Sequence, residues 1–291
     1  MEFFASILMS GISLGGQYAL IAIGYTMVYG ILRLINFAHG DVFMVAGMML
    51  IYTVTIVPWY AAIPIVIIAT IILGFVIERA AYLPLRSAPR MSVMISAIGV
   101  SYLLQNLMTY ITAGQPQYYP SIPFLSETVT IFGTNQQWAK IITPFIVILL
   151  VFLLTQLINH TKIGMAMRAV SKDFETSRLM GIKINSVISV TFVVGSALAA
   201  IGSVLYFTNY SVIVPTSGAL PGLRAFVAAV FGGIGSVPGA VVGAFIIGIC
   251  ESLIRGTSFA TFSDAFTFAL LIIILVVKPT GLFGEKVTDK V

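Results

Sequence analysis

The chain alternates between long apolar stretches and short charged segments. Six stretches contain no Asp, Glu, Lys or Arg, and several of them exceed the roughly 20 residues that one helix needs to cross a bilayer. Stretches of that length hold two spans or one broken helix, because backbone at membrane depth must be hydrogen-bonded internally. The pattern predicts an all-α integral membrane protein with about eight transmembrane segments, some of them broken or re-entrant. The six stretches are residues 3–32, 42–77, 91–126, 141–159, 184–223 and 225–250.

Composition supports a membrane protein rather than a soluble one. Of 291 residues, 59% are hydrophobic and 9% are charged, and the mean hydropathy is +1.05. We interpret residues 1–291 as one transmembrane domain, whose apolar surface contacts membrane lipids. A net charge of +5 raises nucleic acid as a partner, but basic residues beside spans are explained by membrane topology. Cys250 is the single cysteine, so the sequence has no disulfide framework.

The basic residues cluster in a way that predicts the orientation. Eleven of the 15 Lys and Arg residues fall in segments 78–90, 160–183 and 278–290, whereas 113–139 and 209–221 contain none. Since cytoplasmic loops collect Lys and Arg, segments 78–90 and 160–183 and the C-terminus are predicted to be cytoplasmic. Residues 113–140 are then an extracytoplasmic loop, with a small hairpin expected around Thr130.

The segment 160–183 is the largest charged island in the chain. It holds seven of the 25 charged residues. If 165–181 is one helix, an apolar stripe runs along one face and a charged stripe along another. Two interpretations remain open, an amphipathic helix lying on the lipid surface and a helix that docks against another protein. A glycine at the end of the stripe favours docking, although it also suits an ordinary helix C-terminus. The stripe comprises Met167, Val170, Phe174, Ser177 and Gly181.

This island, with motifs along nearly the whole chain, resembles the branched-chain amino acid ABC permeases of the LivH type. Residues 164–182, GMAMRAVSKDFETSRLMGI, resemble the cytoplasmic coupling loop of that family. Supporting motifs, in the same order as in the family, lie at 18–30, 35–41, 82–86, 96–99, 228–243 and 279–281. The resemblance implies coupling to an ATPase through Gly164, Arg168, Ala169, Asp173, Phe174, Ser177 and Gly181. Two departures are Asp41, where Glu is common, and the divergent outer loop 113–140.

The same resemblance implies a subunit of a larger importer in the bacterial inner membrane. Its expected partners are a sister permease, two ATP-binding subunits and a periplasmic solute-binding protein. The sequence itself contains no Gly-Lys dipeptide and therefore no phosphate-binding loop of the Walker type. We expect a transporter subunit without enzymatic activity or a bound cofactor, with ATP hydrolysed by the partner subunits.

Polar residues near the first apolar stretches are candidates for the translocation path. Asn36, His39 and Asp41 lie within six positions, and Gln105 and Asn106 lie in a later span. Ionisable groups at membrane depth usually mark pathways or packing contacts. In the alternative interpretation, Asp41 caps a helix that begins at Val42.

Glycines between 222 and 243 mark a second candidate path element. Two short apolar arms flank a Gly/Pro break there, which predicts a hairpin that enters and leaves by the outer face or two short tilted spans. Gly235 and Gly239 either line the path or pack closely against a neighbouring helix. Glu251 is expected to form an interfacial ion pair with Arg224 or Arg255.

The sequence also bears on function classes other than an importer. Residues 11–15 match the G-x-S-x-G pattern of serine hydrolases, but that motif requires a strand-turn-helix context that is missing here. With His39, His160 and one cysteine, a His/Cys metal site is not expected. A passive channel stays open, as does the same fold importing amides, urea or short peptides.

Overall fold

The computed structural model describes residues 2–86, 88–131 and 133–284, which are mostly helical. The helices are α1 (Glu2–Leu32), α2 (His39–Val54), α3 (Trp59–Ile77), α4 (Arg90–Thr112), α5 (Pro123–Ser126), α6 (Trp138–His160), α7 (Lys162–Lys172), α8 (Phe174–Leu179), α9 (Ile184–Asn209), α10 (Ala219–Gly232), α11 (Val237–Arg255) and α12 (Ser263–Val277). A π-helical turn, Glu78–Tyr82, extends α3, and a 3-10 turn, Ala260–Phe262, precedes α12.

Seven helical segments among the described residues are long and apolar enough to cross a membrane. They are α1, α3 with its π-helical turn, α4, α6, α9, α11, and α12 with the 3-10 turn before it, which together span the 18 residues Ala260–Val277. Two further apolar helices are shorter, α2 with 16 residues and α10 with 14. The prediction of a multi-pass helical membrane protein with broken helices is confirmed. The prediction that both arms of the 222–243 segment are short is wrong for the second arm. That arm belongs to α11, which has 19 residues and is long enough to span a membrane.

Short strands and basic segments identify the two ends of the bundle. Strand β2 (Thr128–Ile131) pairs with β3 (Thr134–Gln137) as the expected hairpin. Strand β1 (Gln117–Tyr118) pairs with β4 (Val212–Ile213), so both predicted outer segments lie at this hairpin end. The opposite, basic end carries α7, α8, the turn after α3 and the residues that follow α12. The predicted cytoplasmic C-terminus includes residues 285–291, which lie outside the described residues.

Helix α1 is the central element and packs on α6, α9, α10 and α11. The adjacent glycines Gly15 and Gly16 permit either a broken helix or close packing, and the structure has an unbroken helix with close packing. A Cβ atom built on Gly248 of α11 would lie 2.3 Å from the amide nitrogen of Gly15. The backbones of α1 and α11 therefore touch directly, and the glycines serve the contact rather than a break.

Replacing Gly248 with alanine is expected to lower the thermal unfolding midpoint of the purified protein. The added methyl group meets backbone atoms of α1, and overpacking of this kind costs about 1–3 kcal/mol. Gly99→Ala is the matched control, because a Cβ atom at Gly99 meets nothing within 4 Å. Equal midpoints for Gly248→Ala and the wild type would show that α1 and α11 are not held at this distance.

The basic end is cross-linked by polar contacts between elements distant in sequence. Arg33, which follows α1, donates from Nη2 to the carbonyl oxygen of Ser171 in α7 at 3.2 Å. Glu78, fully buried in the π-helical turn, accepts from Ser189 Oγ of α9 at 3.0 Å and pairs with Arg86. The first contact ties the charged island to α1, and the second ties the turn after α3 to α9.

Candidate functional site

Two short helices begin next to each other inside the bundle. A Cβ atom on Gly218, which precedes α10, would lie 2.2 Å from the carbonyl oxygen of Gly40 in α2. Neither N-terminus is capped by a side chain of the N-cap residue, Ala38 for α2 and Gly218 for α10. Since the N-terminus of a helix carries partial positive charge, this meeting of two N-termini favours negative charge nearby. We call this region the helix-start seam.

Asp41 supplies a carboxylate in the first turn of α2. Its side chain accepts from Ser101 Oγ at 2.5 Å and from Gln105 Nε2 at 3.0 Å, both on α4. Asp41 is only 2% exposed. The alternative in which Asp41 caps a helix starting at Val42 is wrong, because α2 begins at His39 and the carboxylate reaches α4 instead.

Asn36 and His39 complete the seam on the α1 side. Asn36 Oδ1 accepts from Tyr82 Oη at 2.7 Å and from the amide of Ala38 at 3.1 Å, which fixes the turn between α1 and α2. His39 packs edge-on to Tyr25, with ring centroids 5.1 Å apart. Among the described residues, its Nε2 atom has no hydrogen-bond partner, and a Cβ atom on Gly24 would lie 2.1 Å from it.

The structure thus brings four of the seven candidate path residues together and separates three. Asn36, His39, Asp41 and Gln105 converge around the start of α2. Asn106 is exposed on α4 and donates to the carbonyl of Tyr102 at 2.7 Å. Of the remaining two, Gly235 lies in the turn between α10 and α11, and Gly239, in the first turn of α11, lies beside Phe283, which follows α12.

Gly235 and Gly239 differ in what they do. Gly235 has φ +98 and open space around its Cα, so its role is to make the turn. A Cβ atom on Gly239 would lie 2.5 Å from the carbonyl oxygen of Gly232, which shows close helix packing. For Gly239 the packing interpretation matches the geometry.

A charged network lies between α1, α10, α11 and α12, where an ion pair was expected. Glu251 is fully buried, and its Oε1 atom forms ion pairs with Arg224 Nη1 at 3.0 Å and with Arg255 Nη2 at 2.6 Å. Tyr18 Oη donates to Glu251 Oε2 at 3.0 Å. Arg224 Nε also donates to Asp264 Oδ1 at 3.0 Å. Both expected partners of Glu251 are present, and the burial of Glu251 and Arg224 makes this pair structural.

The charged island folds as two helices rather than one. Helix α7 ends at Lys172, and Asp173 caps α8 by accepting from the amide of Thr176 at 3.0 Å. The expected single helix over 165–181 is therefore wrong. Gly181 follows α8 with φ +82, and its amide donates to the carbonyl of Arg178 at 3.1 Å, as at an ordinary helix C-terminus.

The apolar stripe of the island mostly faces this chain itself. Met167, Val170 and Ser177 are buried, so this part of the stripe is covered by the bundle and not left open for a partner. A Cβ atom on Gly164 would lie 2.3 Å from the carbonyl oxygen of Ile158, which requires glycine at the α6–α7 corner.

The other predicted coupling residues lie outside the buried stripe. Arg168 Nη1 reaches Asn159 Oδ1 at 3.2 Å and Ala169 is half-buried. Asp173, Phe174 and Gly181 are exposed.

Two exposed apolar residues at the tip of α8 were missed from the sequence. Leu179 is 86% exposed and Met180 is 79% exposed. The sequence signal that could have identified them is a pair of adjacent apolar residues beside Gly181 that lies outside the predicted stripe. We call Leu179 and Met180 the apolar tip. Two adjacent large apolar side chains at this exposure are candidates for a contact with another protein or with lipid.

Comparison with known proteins gives a consistent result over the whole length. Residues 7–275 match the family described as "Branched-chain amino acid transport system / permease component". The chain is 39% identical to the high-affinity branched-chain amino acid transport system permease protein BraD of Pseudomonas aeruginosa, over 98% of this chain and 97% of BraD. It is likewise 39% identical to the LivH permease proteins of Salmonella typhimurium and Escherichia coli K12, over 99% of this chain and 98% of LivH.

Proposed function

Because the chain belongs to the branched-chain amino acid transport permease family, we propose that it is the transmembrane permease subunit of an ATP-driven importer for branched-chain or other hydrophobic amino acids. The observation that carries the proposal is 39% identity across almost the full length of relatives named for that transport. The multi-helical bundle with two short internal helices fits this role, since broken helices place polar backbone where a cargo can use it.

Other chains supply the energy and the capture of cargo. A permease of this family works with ATPase and binding-protein components, and we propose a sister permease, two ATP-binding subunits and one periplasmic binding protein as the assembly. The absence of a Gly-Lys dipeptide supports ATP hydrolysis by those partners. In this proposal the chain binds no cofactor and has no enzymatic activity.

The orientation follows from the distribution of charge. We place the basic end in the cytoplasm and the hairpin end in the periplasm, with the chain in the bacterial inner membrane. The ATPases then meet α7 and α8, with the apolar tip as the first contact. Movement there reaches α1 through the Arg33 contact with Ser171, and alternating access follows from the different contacts made in the two states.

The helix-start seam is the proposed location where cargo passes the middle of the bundle. Asp41 and its two donors lie beside the uncapped starts of α2 and α10. Carboxylate acceptors suit an ammonium group, whereas helix N-termini suit a carboxylate. An amino acid carries both groups, and the seam offers both kinds of partner.

Reconstitution tests this function directly. Liposomes that contain this chain, its sister permease and two ATPases, with ATP inside, are expected to accumulate labelled leucine when loaded binding protein is added outside. Accumulation should fall to background when ATP or any one protein is omitted. Passive leucine flux through the purified chain alone would support a channel instead. If urea, acetamide or a dipeptide competed with labelled leucine and valine did not, the cargo would be an amide, urea or a short peptide instead of an aliphatic amino acid.

A further inference from the structure

A polar cavity of about 360 Å³ lies at the hairpin end, away from the helix-start seam. Its walls come from the first half of α1, the start of α6 and the ends of α9 and α11. The lining residues used below are Ile7, Ser10, Ser13, Leu14, Lys140, Asn209 and Arg255. Pockets for small ligands begin at about 300 Å³, so this cavity is large enough for a single amino acid.

Positive charge in the cavity exceeds what the protein itself neutralises. The ammonium group of Lys140 lies 3.4 Å from Ser10 Oγ, and among the described residues it forms no ion pair. Arg255 shares the carboxylate of Glu251 with Arg224. Two carboxylates, from Glu251 and Asp264, thus face three cations in this part of the bundle. A carboxylate from a ligand would balance the third.

Two polar atoms in the cavity wall have no hydrogen-bond partner among the described residues. Ser13 Oγ belongs to a side chain that is only 2% exposed, and Asn209 Oδ1 is likewise buried at the atom. Buried polar groups are normally satisfied, so such atoms point to a ligand or to water. Asn209 Oδ1 accepts only, which suits the ammonium group of a zwitterion.

An apolar wall stands beside these polar groups. Ile7 and Leu14 lie on the same side of α1 as Ser10 and line the cavity with it. One small volume therefore offers cations, acceptors and an aliphatic surface. These three features match the three groups of an aliphatic amino acid, which are its carboxylate, its ammonium group and its short apolar side chain.

We propose that this outer cavity binds one aliphatic amino acid, with its carboxylate between Lys140 and Arg255, before the cargo moves to the helix-start seam. The inference rests on the proposed function, because it assigns a second location on the route of the same cargo. The cavity receives the amino acid that the binding protein releases and holds it while the bundle changes state.

Direct binding to the purified importer, without binding protein, separates this inference from the transport function. Labelled leucine is expected to bind the wild-type complex, and Lys140→Gln should weaken that binding at least tenfold, since a charge-assisted contact is lost. Lys140→Arg keeps the charge and should bind within about threefold of the wild type. Leucinol, which lacks the carboxylate, should compete poorly with the wild type.

The remaining outcomes also decide the question. Equal leucine binding by the wild type and Lys140→Gln would overturn the site. So would phosphatidylglycerol that copurifies with the wild type but not with Lys140→Gln, because the cavity would then hold a lipid headgroup. Failure of loaded binding protein to stimulate ATP hydrolysis in the wild-type complex would contradict the proposed function, whereas leucine binding that depends on Lys140 would still support this site.

Discussion

Replacing both Leu179 and Met180 with aspartate is expected to abolish ATP-driven uptake while the permease remains folded. The two side chains are 86% and 79% exposed, so their replacement removes few contacts within the chain. If they insert into an ATPase surface, each anchors the contact with about 2 kcal/mol or more, and buried carboxylates oppose docking further. We expect at least about a 100-fold loss in the affinity of the permease for its ATPases.

Copurification of the ATPases with tagged permease, together with leucine uptake, measures this effect. Tyr118→Asp is a matched control, because Tyr118 is 80% exposed and lies in β1 at the opposite end. That variant should retain the ATPases at the wild-type ratio. Full ATPase recovery with the Leu179 and Met180 double variant would mean that the ATPases bind elsewhere on the basic end.

The apolar tip is a better probe of coupling than the neighbouring glycine. Gly181 has φ +82, so any side chain introduced there strains the backbone even though the surrounding space is open. A large residue at that position changes the loop and the docking surface together. Changes at Leu179 and Met180 alter the surface alone.

Loss of the Glu251 carboxylate is expected to be the most destabilising single change in the chain. Glu251→Ala leaves Arg224 and Arg255 facing each other and removes the acceptor of Tyr18. Breaking a buried pair by removing one partner costs about 3–5 kcal/mol. We expect little folded protein by size-exclusion chromatography and a sharply lower thermal unfolding midpoint.

Two variants serve as controls for Glu251→Ala. One is a compensating double substitution, and the other replaces an exposed acidic residue. Arg224→Met combined with Glu251→Leu removes both charges, and it should recover part of the stability that Glu251→Ala loses. Glu127→Ala, at an exposed position before β2, should unfold like the wild type. If Glu251→Ala has a wild-type midpoint, the network does not hold α1, α10 and α11 together.

Local sequence patterns predicted the helices, the hairpin and the grouping of the basic segments at one end of the bundle. They did not predict which residues the glycines contact. Gly15 and Gly16 alone are compatible with a break or with a close contact. The close contact is formed with Gly248, which is far away in sequence and lies against Gly15 only in the folded bundle. No local pattern carries that information.

The candidate site was predictable in part for the same reason. Asn36, His39 and Asp41 stood out as polar residues beside an apolar stretch, but their neighbours Ser101 and Tyr82 come from other helices. The break in the charged island was readable in principle, since Asp173 precedes α8 as a typical N-cap. The exposure of Leu179 depends on where that break turns the chain, which periodicity alone does not give.

The close contact between Gly15 and Gly248 has a mechanical consequence, because α1 is one unbroken rod that crosses α11 there. The arm from Gly15 to Leu32 is about 26 Å long, and the arm from Gly15 to Ser6 is about 14 Å. Two further contacts lie along the shorter arm, since a Cβ atom on Gly11 would lie 2.9 Å from Ile249 Cα and Ser252 Oγ donates to the carbonyl oxygen of Ile7 at 2.7 Å. This arm of α1 is therefore fixed to α11, so a displacement at the basic end moves the two helices together as one rigid pair.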